Sequence, residues 1–350
     1  MISQENRKIT IDQVAEYCGV SKTTISRYLN GRYDAMSKET QDRIRDAVET
    51  LNYRPNRTAQ RLKSSRTKLI GCVVSDISSP FSALLLRGIM KVCEEAGYQV
   101  LFVDSRDSPK RECRAIEDFL QNCVDGLIIN TTSGNDNYLL SVKSRGIPIV
   151  LADRELCQSN MIDTVTTPNF EDAYRCVQFL FECGYTEIAF FTEQLKGISP
   201  RVHRNSGYVS AMKELAPAGT EARVYKVNPQ NAKECTEYVR SFREQFIGKR
   251  IAILSANGVV AHSVLLAMKA LGIRAGYEFG FCTFDDWDWL QLSSPEVTAV
   301  AMGTEEIGIR SAELLLKRIN ADSEDTEPIF VQLPTEMIVR GSTVGKNKQP

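Results

Sequence analysis

The strongest constraint in this sequence is a change of hydrophobic rhythm at Thr67. Beyond it, apolar runs of a strand's length alternate with helical stretches. Leu69–Val74, Val100–Val103, Gly126–Ile129 and Ile147–Leu151 read as buried strands, with helices near Phe81–Glu95, Pro109–Asn122 and Tyr138–Ser144 between them. A second series follows at Asp163–Thr166, Ile188–Thr192, Arg223–Val227, Ile251–Leu254 and Glu278–Phe284, separated by helices such as Phe170–Cys183 and Gly258–Leu271. A parallel strand is covered on both faces, so it reads as a continuous apolar run rather than an alternation. The pattern therefore predicts an α/β body of two doubly wound parallel sheets. Val297–Val300 and Ile329–Leu333 are left over and can return to either sheet.

Before Thr67 the rhythm is that of three short helices. Ile9, Ile11, Val14 and Ala15 mark one apolar face, and Gly19 stops the segment because glycine tolerates the left-handed turn. Ser21 can cap a second helix, Lys22–Leu29, whose Ile25, Tyr28 and Leu29 face inward while Lys22, Thr23, Ser26 and Arg27 face out. Asn30-Gly31 ends it, and Ser37 caps a third helix, Lys38–Leu51, with Ile44, Val48 and Leu51 as its buried stripe. Ala15-x-x-x-Gly19 followed by a hydroxyl-rich helix is a helix-turn-helix pattern. Ala15 is small where the helices cross, and Ile25 plugs the contact. Lys22 and Arg27 can donate to guanine, and Thr23 can reach a base edge or a thymine methyl. Ser21, Thr24, Ser26 and the helix N-terminus suit phosphates.

Charge supports that division. The net charge of −1 over 350 residues hides 14 Lys and Arg against 8 Asp and Glu in residues 1–68, and 29 against 36 in the rest. A basic head on an acidic body suggests a polyanion partner at the head. No apolar run approaches the ~20 residues of a membrane span, and the polar N-terminus shows no leader, so a cytoplasmic protein is expected. Ten cysteines stand singly and mostly in apolar stretches, as suits reduced thiols rather than zinc ligands.

Ile9-Thr10-Ile11-Asp12-Gln13-Val14-Ala15 and Cys18-Gly19-Val20-Ser21-Lys22-Thr23-Thr24-Ile25-Ser26-Arg27-Tyr28-Leu29-Asn30-Gly31 resemble the head of the LacI/GalR (lactose and galactose repressor) family. Cys18 departs from the alanine common there. Leu51-Asn52-Tyr53-Arg54-Pro55-Asn56-Arg57-Thr58-Ala59-Gln60-Arg61-Leu62 is similar to the family's hinge. Pro55 ends the preceding helix and Asn56 can cap a new one of barely two turns, so short that it should fold only on DNA. The resemblance adds Thr10, Asn30, Tyr53, Asn56, Arg57 and Gln60 to the DNA-contacting set. It also places Ala59 and Leu62 in the minor groove, where Leu62 would wedge a central base step.

For the body, an enzyme must be weighed. Gly-x-Gly-x-x-Gly, Gly-Lys-Ser/Thr loops, His-Glu-x-x-His and Gly-x-Ser-x-Gly are all missing from the sequence, and its two histidines, His203 and His262, lie in no catalytic signature. Trp287 and Trp289 interrupt Asp285, Asp286 and Asp288, against a calcium loop. No catalytic residue, cofactor or metal is assigned. A binding cleft fits better, because loops at the carboxyl ends of the strands gather carboxylates, guanidinium groups, an amide and aromatic rings suited to a sugar.

The family resemblance extends to these loops. Its pocket positions fall on Phe81 in Ser79-Pro80-Phe81, Asp153-Arg154, Arg204, Asn257 and Asp285, with Pro80, Arg201 and Trp287 beside them. It implies a periplasmic-binding-protein-like body in which Val297–Val300 joins the first sheet and Ile329–Leu333 the second. The expected domains are 1–55 (head), 56–66 (hinge), 67–164 with 295–323 (first subdomain), 165–294 with 324–343 (second) and 344–350 (tail), the tail lacking a heptad pattern. Asp163-Thr164-Val165-Thr166-Thr167, Phe191-Thr192-Glu193 and Ile198–Arg204 resemble the branch that answers to ketodeoxygluconate. Arg201 and Arg204, one helical turn apart, can meet one carboxylate, whereas residues 222–232 lack the aromatic that many members place over a sugar. The expectation is a homodimeric repressor of carbohydrate catabolism genes that binds double-stranded operator DNA and is released by a sugar or sugar-acid inducer. A neutral sugar, a purine corepressor, or a cytoplasmic sugar-binding or sugar-processing protein whose head serves only assembly stay open as alternatives.

Overall fold

The computed structural model describes residues 9–29, 31–34, 36–53, 66–157, 160–277, 279–321 and 327–344. Two compact units divide the chain, Met1–Thr67 and Lys68–Pro350.

In the head, α1 (Ile11–Cys18), α2 (Lys22–Leu29) and α3 (Lys38–Thr50) surround one small core. Thr10 and Gln13 form a reciprocal capping box that starts α1. Gly19, at φ 63°, ends it in the left-handed conformation, and the Val20 N–H closes back on the Ala15 carbonyl at 3.1 Å. Ser21 Oγ accepts the Thr24 N–H at 3.1 Å, and Ser37 Oγ accepts the Thr40 N–H at 3.3 Å, so both expected caps are present. Val14, Ala15, Cys18, Ile25, Ile44, Ala47 and Tyr53 are buried together. The stripe on α3 is Ile44 and Ala47, with Val48 and Leu51 only partly covered.

The body carries two six-stranded sheets. The first orders β11-β5-β4-β3-β1-β2, with β1 Leu69–Val74, β2 Gln99–Asp104, β3 Gly126–Ile129, β4 Ile149–Ala152, β5 Asp163–Thr166 and β11 Phe330–Gln332. The second orders β12-β10-β9-β8-β6-β7, with β6 Glu187–Thr192, β7 Arg223–Lys226, β8 Ile251–Ser255, β9 Phe279–Phe284, β10 Thr298–Ala301 and β12 Glu336–Ile338. All pairings are parallel except β10 with β12.

Three strand assignments from sequence are corrected by these ladders. Asp163–Thr166 belongs to the first sheet, its Val165 opposite Ala152 of β4. Val297–Val300, expected in the first sheet, is β10 of the second, where Ala299 lies opposite Thr283. Ile329–Leu333, expected in the second, supplies β11 to the first, where Val331 lies opposite Val165. The chain thus crosses between subdomains after β5, after β10 and between β11 and β12.

Helices α4 (Pro80–Glu95), α5 (Pro109–Gln121) and α6 (Asp136–Ser144) follow β1 to β3. Helices α7 (Asn169–Glu182), α8 (Ser199–Leu215), α9 (Ala232–Gln245) and α10 (Gly258–Ala270) serve the second sheet, and α11 (Thr304–Asn320) returns to the first. Ile307, Ala312, Leu314 and Leu315 of α11 share a core with Ile70, Leu85, Ile89 and Ile128. There α11 and α4 meet at Gly88 and Gly308: a Cβ on Gly88 would sit 2.1 Å from the Glu305 carbonyl oxygen, and one on Gly308 2.2 Å from that of Leu85. Asp163 is held by Arg318 through two bonds of 2.7 and 2.9 Å and also accepts the Ile329 N–H. Six cysteines are buried, whereas Cys123 and Cys157 are exposed. Among the described residues no helix is long and apolar enough to cross a membrane, and no cluster of His, Cys, Asp and Glu could hold a metal ion.

Candidate functional site

The head presents the outward face of α2. Lys22, Thr23 and Arg27 are exposed on it, with Ser26 partly so. Lys22 Nζ lies 2.8 Å from Asp12 on α1, an exposed pair that a phosphate or a base can replace at little cost. Ser21 and Thr24 hydroxyls lie 2.8 Å apart and, with Thr10, are spent on helix starts. Tyr53 is 8% exposed and its ring packs in the head's core. Asn30, Asn56, Arg57, Ala59, Gln60 and Leu62 lie outside the described residues.

In the body, parallel strands send their carboxyl ends to one edge of each sheet, and the loops there face each other across a cleft. A cavity of about 110 Å³ in it is lined by Phe81, Asp153, Arg154, Arg201, Arg204, Asn257, Asp285 and Trp287. Eight of the nine sequence candidates thus converge. The ninth, Pro80, is exposed at the first turn of α4 and does not line the cavity.

Two of the carboxylates arrive by the same turn. Asp153 follows β4 and Asp285 closely follows β9, both in the left-handed conformation at φ 70° and 67°. Each donates its N–H to the neighbouring strand, Asp153 to Val165 at 2.7 Å and Asp285 to Val300 at 3.1 Å. Asp285 Oδ2 accepts the Gly258 N–H at 2.9 Å. Asp153 Oδ1 is buried with no hydrogen-bond partner among the described residues. Burial pushes its pKa from 3.8 up to about 6; the Arg204 and Arg154 guanidinium groups oppose that rise, Asp285 adds to it, and Asn130 opposes it. Burial also raises Asp285, against Arg204.

The arginines hold the walls. Arg204 donates from Nε to Asn169 at 2.7 Å and from Nη1 to the Ala256 carbonyl at 2.6 Å, and lies over the Phe284 ring at 4.1 Å. Arg201 donates to Glu193 at 2.7 Å and approaches Asp107 at 3.7 Å. Arg154 donates to Asp107 at 2.8 Å and to the Thr131 carbonyl at 3.1 Å. Asn257 caps α10 through Oδ1 on the Val260 N–H and donates from Nδ2 to Glu193 at 2.8 Å. Trp287 packs its ring on Gly258, where a Cβ would come within 2.4 Å, and its Nε1 is buried without a partner among the described residues. Asp107, Asn130 and Glu193 complete the site and were not among the sequence candidates. Glu193 lies in the Phe191-Thr192-Glu193 stretch that carries the family resemblance, whereas Asp107 and Asn130 look like ordinary residues after a strand.

A reading head on a two-sheet body that closes polar loops over a cavity defines the ligand-responsive bacterial DNA-binding regulators. The chain belongs to the LacI family of HTH-type transcriptional regulators. Residues 10–56 match the bacterial regulatory proteins of the lacI family, and residues 177–343 match the periplasmic binding protein-like domain. It is 36% identical to the HTH-type transcriptional regulator KdgR of Bacillus subtilis over 95% of this chain and 97% of that protein. It is 31% identical to the regulator PtxS of Pseudomonas plecoglossicida over 99% of both. Its fold matches the lac repressor dimer bound to operator and the anti-inducer ONPF, with a TM-score of 0.82 at 22% identity over 97% of this chain and 100% of that one. These relatives are transcription regulators rather than enzymes, and LacI-family repressors bind operator DNA and small-molecule effectors.

Proposed function

We propose that this regulator is a cytoplasmic homodimer that represses carbohydrate catabolism genes and is released from its operator by a sugar acid of the ketodeoxygluconate type. The observation that carries the reading is the cleft. Its lining suits a polyol, and two of its polar atoms, Asp153 Oδ1 and Trp287 Nε1, lack partners among the described residues, which hydroxyl groups can supply. The choice of an acid over a neutral sugar rests on the resemblance of Asp163–Thr167, Phe191–Glu193 and Ile198–Arg204 to the branch that answers to ketodeoxygluconate. The cavity is smaller than the ~300 Å³ at which small-molecule pockets begin, so an effector takes up more of the cleft than this cavity alone. Effector binding then selects one arrangement of the body.

A second copy fits the outer face of the first subdomain. Met90 of α4 and Phe102 of the edge strand β2 are 52% and 51% exposed, with Ile77 beside them, and Arg87 pairs with Glu305 at the rim. Such an apolar strip beside an unpaired edge is covered when two copies meet about a twofold axis. Phe102→Arg should sediment as a monomer and lose operator affinity.

The decisive experiment is operator binding by fluorescence anisotropy with and without ketodeoxygluconate. Release, with effector affinity weakened by operator in the same ratio, is the expected result. Tighter operator binding would reverse the sign to a corepressor, and a response only to neutral sugars or purines would remove the acid reading.

A further inference from the structure

Beside the effector cavity lies a second chamber of about 400 Å³, which shares Asp107, Glu193, Ile198 and Arg201 with it as a common wall. Its other sides come from the loop after β3, the loop before α8 and the end of β7. Lys196 and Lys226 line it, both exposed, and neither is ion-paired among the described residues. The acidic groups around them are engaged elsewhere: Asp107 by Arg154, Glu193 by Arg201 and Asn257, and Glu234 by the Asn228 N–H at 2.8 Å. A separate observation points to a ligand. Thr132, which also lines the chamber, is 2% exposed, and its Oγ1 has no hydrogen-bond partner among the described residues. Its backbone N–H donates to Glu112 at 2.6 Å.

We infer that the chamber is the anion subsite of the effector: Lys196, Lys226 and the Thr132 hydroxyl take the carboxylate, while the inner cavity takes the hydroxyl-bearing carbons. The inference rests on the acidic-sugar reading above. It reassigns the carboxylate away from Arg201 and Arg204, whose guanidinium groups are already committed to Glu193, Asn169 and the Ala256 carbonyl. It also answers the size of the inner cavity, because a ligand spanning both spaces occupies a volume in the usual range for small-molecule sites.

The test is calorimetric titration of the full-length protein with ketodeoxygluconate at low and at moderate salt. In the wild type, affinity should fall as salt rises, since exposed ammonium groups are screened. The double variant K196M/K226M should bind at least tenfold more weakly and lose most of that salt dependence, while K196R/K226R keeps both. Thr132→Val should weaken binding with the salt dependence intact. Wild-type affinity and salt dependence in K196M/K226M would overturn the inference and return the carboxylate to the arginines, leaving the acidic-sugar reading in place. Failure of the wild type itself to bind the acid, with a neutral sugar or purine bound instead, would overturn both.

Discussion

Asp153→Asn tests what the cleft costs the fold. The backbone at φ 70° suits asparagine as well as aspartate, so the turn should be kept. The side chain is 7% exposed, and Oδ1 has no partner among the described residues. A pKa raised from 3.8 to about 6 corresponds to about 3 kcal/mol of preference for the neutral carboxyl in the folded state. The sign follows from proton binding. Between about pH 4 and pH 6 the unfolded chain has released this proton while the folded protein keeps it, so stability falls as pH rises through that window, and above it the full penalty is present. Removing the charge should therefore stabilise the variant by up to about 3 kcal/mol at pH 8 and by almost nothing at pH 4. For a body of this size the gain is roughly 5 °C in melting temperature. The assay is thermal unfolding of both proteins without ligand from pH 4.5 to 8, where the difference should grow and then level off above pH 6. A variant that melts at or below the wild type at pH 8 would refute the reasoning, because the carboxylate would then be held by net attraction. The same variant should lose sugar binding, as expected where a site keeps an unpaired group for its ligand.

Arg318→Ala should cost about 3–5 kcal/mol in denaturant unfolding, because it leaves the Asp163 carboxylate buried without its cation. Gly88→Ala should cost about 1–3 kcal/mol or more, since its methyl would meet the Glu305 carbonyl rather than a movable side chain; an unchanged unfolding midpoint would contradict the close crossing of α4 and α11. Lys22→Ala should leave the head's melting nearly unchanged, the Asp12 pair being exposed, yet reduce discrimination between operator and altered half-sites by about 1–3 kcal/mol in competition gel shifts.

Local features of the fold were legible because local physics sets them. The boundaries of α2, the caps at Ser21 and Ser37, and the long apolar runs of β1, β3 and β8 follow from residues within one turn or one strand. What the sequence could not decide was which sheet a strand joins. Asp163–Thr166, Val297–Val300 and Ile329–Leu333 read as strands, but nothing in a short apolar run records its neighbour; β5 and β11 are tied instead by Asp163, whose partner Arg318 is 155 positions away. The site shows the same division. Asp153, Arg204, Asn257 and Asp285 stand out beside a strand end or in a family-like motif, whereas Asp107 acquires meaning only when the β2 loop is carried to Arg154 and Arg201. The matched left-handed turns at Asp153 and Asp285 were not legible either, because aspartate after a strand is common and its φ is a product of the assembled cleft.

The triple crossing sets the order in which this protein can be made. The first five strands of the first sheet are complete once residue 166 has left the ribosome, but β5 then has an open edge and the core lacks α11. Both are supplied after residue 303, and β11 ends at Gln332. At about 5–20 residues per second the gap between them lasts roughly 8–33 s. Throughout that interval an unpaired strand edge and an uncovered helix face wait for their partners, and shielding by chaperones during synthesis is where a slow-translation or truncation defect would first be felt.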